Sequence, residues 1–112
     1  MSRKFQGIYP VEIIAHRIVL LQKKDYSFYM NQDIEFNQAA FKHGFKEENI
    51  RYVLNRPSYE GPLEDDEDKY IVLGFDNSGN LLEILYNCID DETINVFHTM
   101  KCRSIFFHLL DA

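Results

Sequence analysis

Tyr70-Ile71-Val72-Leu73-Gly74-Phe75, Leu81-Leu82-Glu83-Ile84-Leu85-Tyr86 and Thr93-Ile94-Asn95-Val96-Phe97-His98 follow one another inside the span from Lys69 to Arg103. β-branched and aromatic residues dominate these runs, each is too short for a packed helix, and turn chemistry bounds every one, so they read as strands. Between the first two lies Asp76-Asn77-Ser78-Gly79. Asp and Asn there can bond their own backbone, and Gly can take the positive φ that closes a four-residue hairpin. Asp90-Asp91-Glu92 makes a polar turn before the third run. The span predicts an antiparallel meander.

Side chains alternate across a pleat, which assigns faces. Ile94 and Val96 point one way, Asn95 and Thr99 the other, and His98 continues the Ile94–Val96 face where the strand runs out. Met100, Lys101, Cys102 and Arg103 come next and open Ser104 to Leu110, whose apolar residues suit a helix. A histidine and two cations are thus delivered to one corner of the sheet.

Upstream, Asn37 can cap a helix over Gln38 to His43, and Gly44 is placed to stop it. Lys46-Glu47-Glu48 opens a second helix with Ile50, Val53 and Leu54 on its inner face, and Arg56-Pro57 ends it. Tyr59-Glu60-Gly61-Pro62 reads as a turn, Leu63 to Asp68 as an acidic loop, and Asp33 to Phe36 as a short strand or extended entry. The whole is an α+β domain: a small antiparallel meander of three to four strands packed with two to four helices. Residues 30–112 make this single domain and residues 1–29 an N-terminal extension. In the extension Val11, Ile14, Ile18 and Leu21 follow Pro10 at helical spacing, with a strand over Ile18 to Leu21 as the competing reading. That apolar stripe calls for cover, by the domain or by a second copy of the chain.

The chain has 112 residues, 46% of them apolar and 14% aromatic, enough for one core. No apolar run approaches the ~20 residues of a membrane span. Glu12, His16 and Arg17 interrupt what a signal peptide would keep apolar, and Cys88 and Cys102 lack CxxC spacing. A cytoplasmic protein without metal or cofactor is expected. The net charge is −6, and residues 60 to 68 hold six acids and no cation. Such a balance argues against non-specific duplex binding, yet a few local cations suffice for a short single strand.

Phe41-Lys42-His43-Gly44-Phe45-Lys46-Glu47-Glu48-Asn49-Ile50, then Asn55-Arg56-Pro57, Lys69-Tyr70-Ile71-Val72-Leu73-Gly74 and Ile94 through Arg103 resemble the BrnT toxin family. That family belongs to the RelE-like group of small bacterial toxin ribonucleases. The resemblance spans roughly residues 34 to 107, and Lys42-His43-Gly44 is its best piece. Lys69 stands where the family's strand begins with Arg, and His98-Thr99-Met100-Lys101 replaces Ser-Ala-Arg. Residues 1 to 29 fall outside it, as an addition or as residues preceding a start at Met30.

The resemblance implies a toxin of a type II toxin–antitoxin system that cleaves RNA without metal, partnered by a cognate antitoxin such as a ribbon-helix-helix protein. Attack by a 2′-hydroxyl on the adjacent phosphate needs a proton acceptor, cations for the phosphorane and an acid for the leaving oxygen. His98 is the candidate for proton transfer. Lys101, Arg103 and Lys69 are candidates for charge stabilisation, Tyr70 and Tyr86 for stacking or hydrogen bonding to RNA, and Lys42 and His43 for RNA contact, His43 as a second titrating group. Each has an ordinary structural role open to it: His98 as a donor to a carbonyl, His43 as a helix-end residue, the cations as solvated surface. The other function class is a catalytically idle domain of this architecture that binds a partner protein.

Overall fold

The structure, a computed structural model, describes residues 33–111 apart from Asp65 and Glu67. Its elements run β1 (Asp33–Phe36), a first 3-10 helix (Gln38–Phe41), α1 (Glu47–Asn55), β2 (Tyr59–Pro62), β3 (Lys69–Phe75), β4 (Leu81–Cys88), β5 (Thr93–Lys101) and a C-terminal 3-10 helix (Ser104–Asp111). They form an α+β domain around one five-stranded sheet of order β1-β5-β4-β3-β2. The helix or strand expected over residues 11 to 21 lies outside the described residues. Among the described residues no helix is long and apolar enough to cross a membrane.

The expected meander is β3-β4-β5, antiparallel throughout. Two edge strands enlarge it. Tyr59–Pro62, expected as a turn, pairs antiparallel with β3, and at an edge Pro62 can withhold a donor without breaking a ladder. β1 joins the other side parallel to β5, so the sheet is mixed rather than purely antiparallel. β5 also runs further than expected, because Lys101 still pairs with Leu82 and the Cys102 amide donates to the Leu81 carbonyl at 2.9 Å. The apolar tail therefore begins its helix at Ser104 rather than at residue 100, and as a 3-10 helix.

Local chemistry places the remaining pieces. The Asn37 side chain accepts from the Ala39 amide at 2.9 Å and so caps the first 3-10 helix, while Gly44 leaves it with φ 92°. Ile50, Val53 and Leu54 of α1 are fully buried in a core with Val72, Leu82, Ile84, Ile94 and Val96. The Asn49 amide donates to Asn77 at 2.8 Å, which ties the start of α1 to the β3–β4 hairpin. In that hairpin Asp76 accepts from the amides of Ser78 and Asn80, and Gly79 takes φ 84°.

Gly74 sets how closely α1 approaches β3. A Cβ at this position would stand 3.0 Å from Val53 Cγ1 and 3.3 Å from the Arg56 carbonyl oxygen. Gly74→Ala must push the helix end off the strand, and is expected to cost about 1–3 kcal/mol, read as a lowered melting temperature.

The register of β5 changes at Phe97. Val96 pairs with Tyr86 and His98 with Leu85, which leaves Phe97 as an extra residue and forms a β-bulge. Beyond a bulge every side chain changes face. His98 therefore leaves the Ile94–Val96 face, contrary to simple alternation, and Thr99, expected to point away, is buried opposite Ile84 on the side of α1. His98 instead shares the far face with Ile71, Leu73, Glu83, Leu85 and Met100.

Candidate active site

Glu83 is the centre of what the bulge assembles. It stands on β4 between Leu73 of β3 and Met100 of β5 and has 0% of its surface exposed. An ionised carboxylate in such a place costs several kcal/mol unless its oxygens are paired. Among the described residues the donors come from the end of β5 and the turn just after it. His98 Nε2 lies 2.9 Å from Oε2, and the Arg103 backbone amide donates to Oε1 at 2.8 Å. The Arg103 guanidinium adds Nη2 to Oε2 at 2.6 Å and Nε to both oxygens at 3.1 and 3.2 Å. Burial pushes the Glu83 carboxyl up, but the hydrogen bonds of Arg103 and His98 and the Arg103 charge together outweigh it and hold the pKa below the ordinary carboxylate value. The Arg103 guanidinium is held above its own ordinary value by the same hydrogen bond.

This pairing orients His98. An ionised carboxylate only accepts, so in the neutral imidazole the proton sits on Nε2 and Nδ1 is left as the base. The ring remains 23% exposed, and 47% of the Arg103 side chain is open. His43, delivered by the Gly44 turn that ends the first 3-10 helix, brings its exposed ring to 6.0 Å from that of His98, edge to face. Two imidazoles and a held guanidinium thus share one corner. Cys102 is next in the chain, but burial foremost and the Glu83 charge after it push its thiol pKa up, with Arg103 opposing, so it stays protonated near neutrality.

The other expected residues are distributed differently. Lys101 is exposed and registers with Leu82 on the side of α1, the opposite face from His98 and Glu83. Lys69 registers with Asn87, four residues along the sheet from the Glu83 row, or about 13 Å. It pairs with Asp66 at 3.1 Å and lies over the Phe97 ring. Neither lysine belongs to the cluster. Tyr70 and Tyr86 stack on each other inside the core, with Tyr86 donating to Glu60, so their rings are not surfaces for RNA. Lys42 is exposed beside His43. Glu83 was the residue that alternation undervalued. Its signal was a carboxylate in the middle of Leu81-Leu82-Glu83-Ile84-Leu85, where only a paired acid can be buried.

Glu64, Asp66, Asp68, Asp90, Asp91 and Glu92 fall at the end where β3 begins and β4 ends. Lys42, His43, Lys46, Lys101 and Arg103 fall at the opposite end, together with the acids Glu47, Glu48, Asp76 and Glu83. No family model, curated protein or solved structure matches the chain.

Proposed function

We propose that the chain is a metal-independent ribonuclease of the small bacterial toxin kind, acting on single-stranded RNA in the cytoplasm and held in check by a cognate antitoxin. The observation that carries the reading is the His43–His98 pair, 6.0 Å between ring centroids, beside an arginine fixed by a buried carboxylate. His98 Nδ1 takes the proton of the 2′-hydroxyl as that oxygen attacks phosphorus. Protonated His43 gives one to the departing 5′-oxygen. The Arg103 N–H groups not used by Glu83 face the charge that builds on the phosphorane. Substrate held between two imidazoles and a guanidinium needs no further group for this step. The resemblance to the BrnT family supplies the toxin and antitoxin context and a RelE-like assignment of the fold.

Expression in bacterial cells tests the reading. Growth arrest is expected from the parent chain, and relief of arrest from an equally abundant His98→Ala variant. Arrest by both, or by neither, contradicts it.

A second reading has its own observation. The C-terminal 3-10 helix buries none of its eight residues, and Ile105 is 63% exposed, a surface that a protein-binding module would cover with its partner. Under that reading the Glu83 cluster is a structural clamp, and neither arrest nor cleavage depends on His98.

A further inference from the structure

We propose that residues 11–21 dock on the far face of the sheet, over β3 and β4, as a cover supplied by the same chain, an inference that does not depend on the RNA reading of the site. Gly74 faces α1, so Ile71 and Leu73 of the same strand point the other way, and they are 1% and 0% exposed. Glu83, beside Leu73, is equally buried. A sheet buries an apolar face only against another layer. α1 and the first 3-10 helix belong to the opposite face, where Ala40, Ile50, Val53 and Leu54 join the core. The C-terminal 3-10 helix turns toward the Glu83 end at Arg103, but none of its residues is buried. Among the described residues, then, no helix buries a side chain of its own against Ile71 and Leu73.

The chain before β1 has the pattern, size, reach and charge to be that layer. Val11, Ile14, Ile18 and Leu21 recur at helical spacing. A helix over them is about 15 Å long and about 10 Å across. Ile71 to Phe75 measures about 13 Å and neighbouring strands lie about 4.8 Å apart, so such a helix covers β3 and β4. Residues 22–32 link it to Asp33, where β1 begins at the sheet edge beside β5. Extended, that link reaches about 36 Å, whereas β3 lies three strand spacings from β1, about 14 Å. Charge favours the chain's own segment over a second domain. Residues 1–32 hold five cations and two acids, which leaves seven cations and sixteen acids of the chain's 12 and 18 to the domain. Two domains docked by this face bring like charge together, whereas the segment brings opposite charge and is held at high effective concentration by its link.

Thiol labelling of the full chain reads the cover. In a Cys88→Ser, Cys102→Ser background, Ile71→Cys places a thiol under the proposed segment and Ile84→Cys places one on the opposite face, in the core with α1. Ile71→Cys is expected to react slowly with a small disulfide reagent while the stripe is intact. Adding Ile14→Asp and Ile18→Asp should speed that reaction about tenfold or more, with Ile84→Cys still protected and sedimentation that of a monomer. Ile14→Ala with Ile18→Ala is the milder pair, used if the aspartates expose both thiols alike. Rapid labelling of Ile71→Cys with the stripe intact overturns the proposal, and so does slow labelling that neither pair changes. Exposure of both thiols alike by the alanine pair as well shows that the stripe does not cover this face alone, and overturns it. Protection of Ile71→Cys that disappears on dilution together with a dimer assigns the cover to a second copy and overturns it too.

Discussion

Glu83→Ala is expected to lower the melting temperature by about 10–20 °C, the largest stability effect of any single substitution in the sheet's far face. Removing one member of a buried ion cluster typically costs about 3–5 kcal/mol, because the partners lose compensation they cannot replace. Here Arg103 and His98 are partly exposed and regain water, which brings the figure to about 2–3 kcal/mol. The Arg103 backbone amide also loses its acceptor, and with it the tie that turns the chain from β5 into the C-terminal helix. A thermal melt of the variant checks the magnitude.

The same carboxylate gives the protein an acid limb. Its pKa is lowered in the folded chain, so its contribution is fully present above the unfolded value, about 4.3, and is lost as pH falls through the folded value. Glu83→Gln keeps the shape and cannot titrate. Its deficit against the parent should be widest near neutrality and narrow as pH falls below about 4. A constant gap across that range would show that the Glu83 charge does not contribute.

Much of this architecture was legible in the chain. Alternation with turn chemistry at Asp76–Gly79 marks β3 and β4, and the spacing of Ile50, Val53 and Leu54 marks the buried face of α1. Three features were not, each for a physical reason. The bulge at Phe97 has no local signature, since no glycine marks it and only pairing with β4 reveals the extra residue, yet it decides which face receives His98. The parallel pairing of β1 with β5 joins residues some sixty positions apart, beyond any periodicity. Glu60-Gly61-Pro62 carries turn-forming residues that an edge strand accepts and a central one would not. The site followed suit: His98, Arg103 and His43 converge as the sequence allowed, while Lys101, Lys69, Tyr70 and Tyr86 are carried elsewhere by register and burial.

His98→Ala is expected to reduce RNA cleavage by ~10²–10⁴-fold, the usual cost of losing a general acid or base. His43→Ala should reduce cleavage by a comparable factor, since the leaving oxygen then lacks its proton donor. Lys101→Ala, on the opposite face, serves as the control and should leave the rate within a few-fold. Arg103→Ala will lose both stability and rate, because it releases Glu83, and so cannot apportion the two.

The most direct measurement is the rate at which purified parent and His98→Ala cleave single-stranded RNA in the presence of a chelator, with a melt of each protein run alongside. Cleavage by the parent that resists the chelator and falls by ~10²–10⁴-fold in an equally stable variant is the predicted result. Equal rates for the two proteins, or no cleavage by either, would contradict the account.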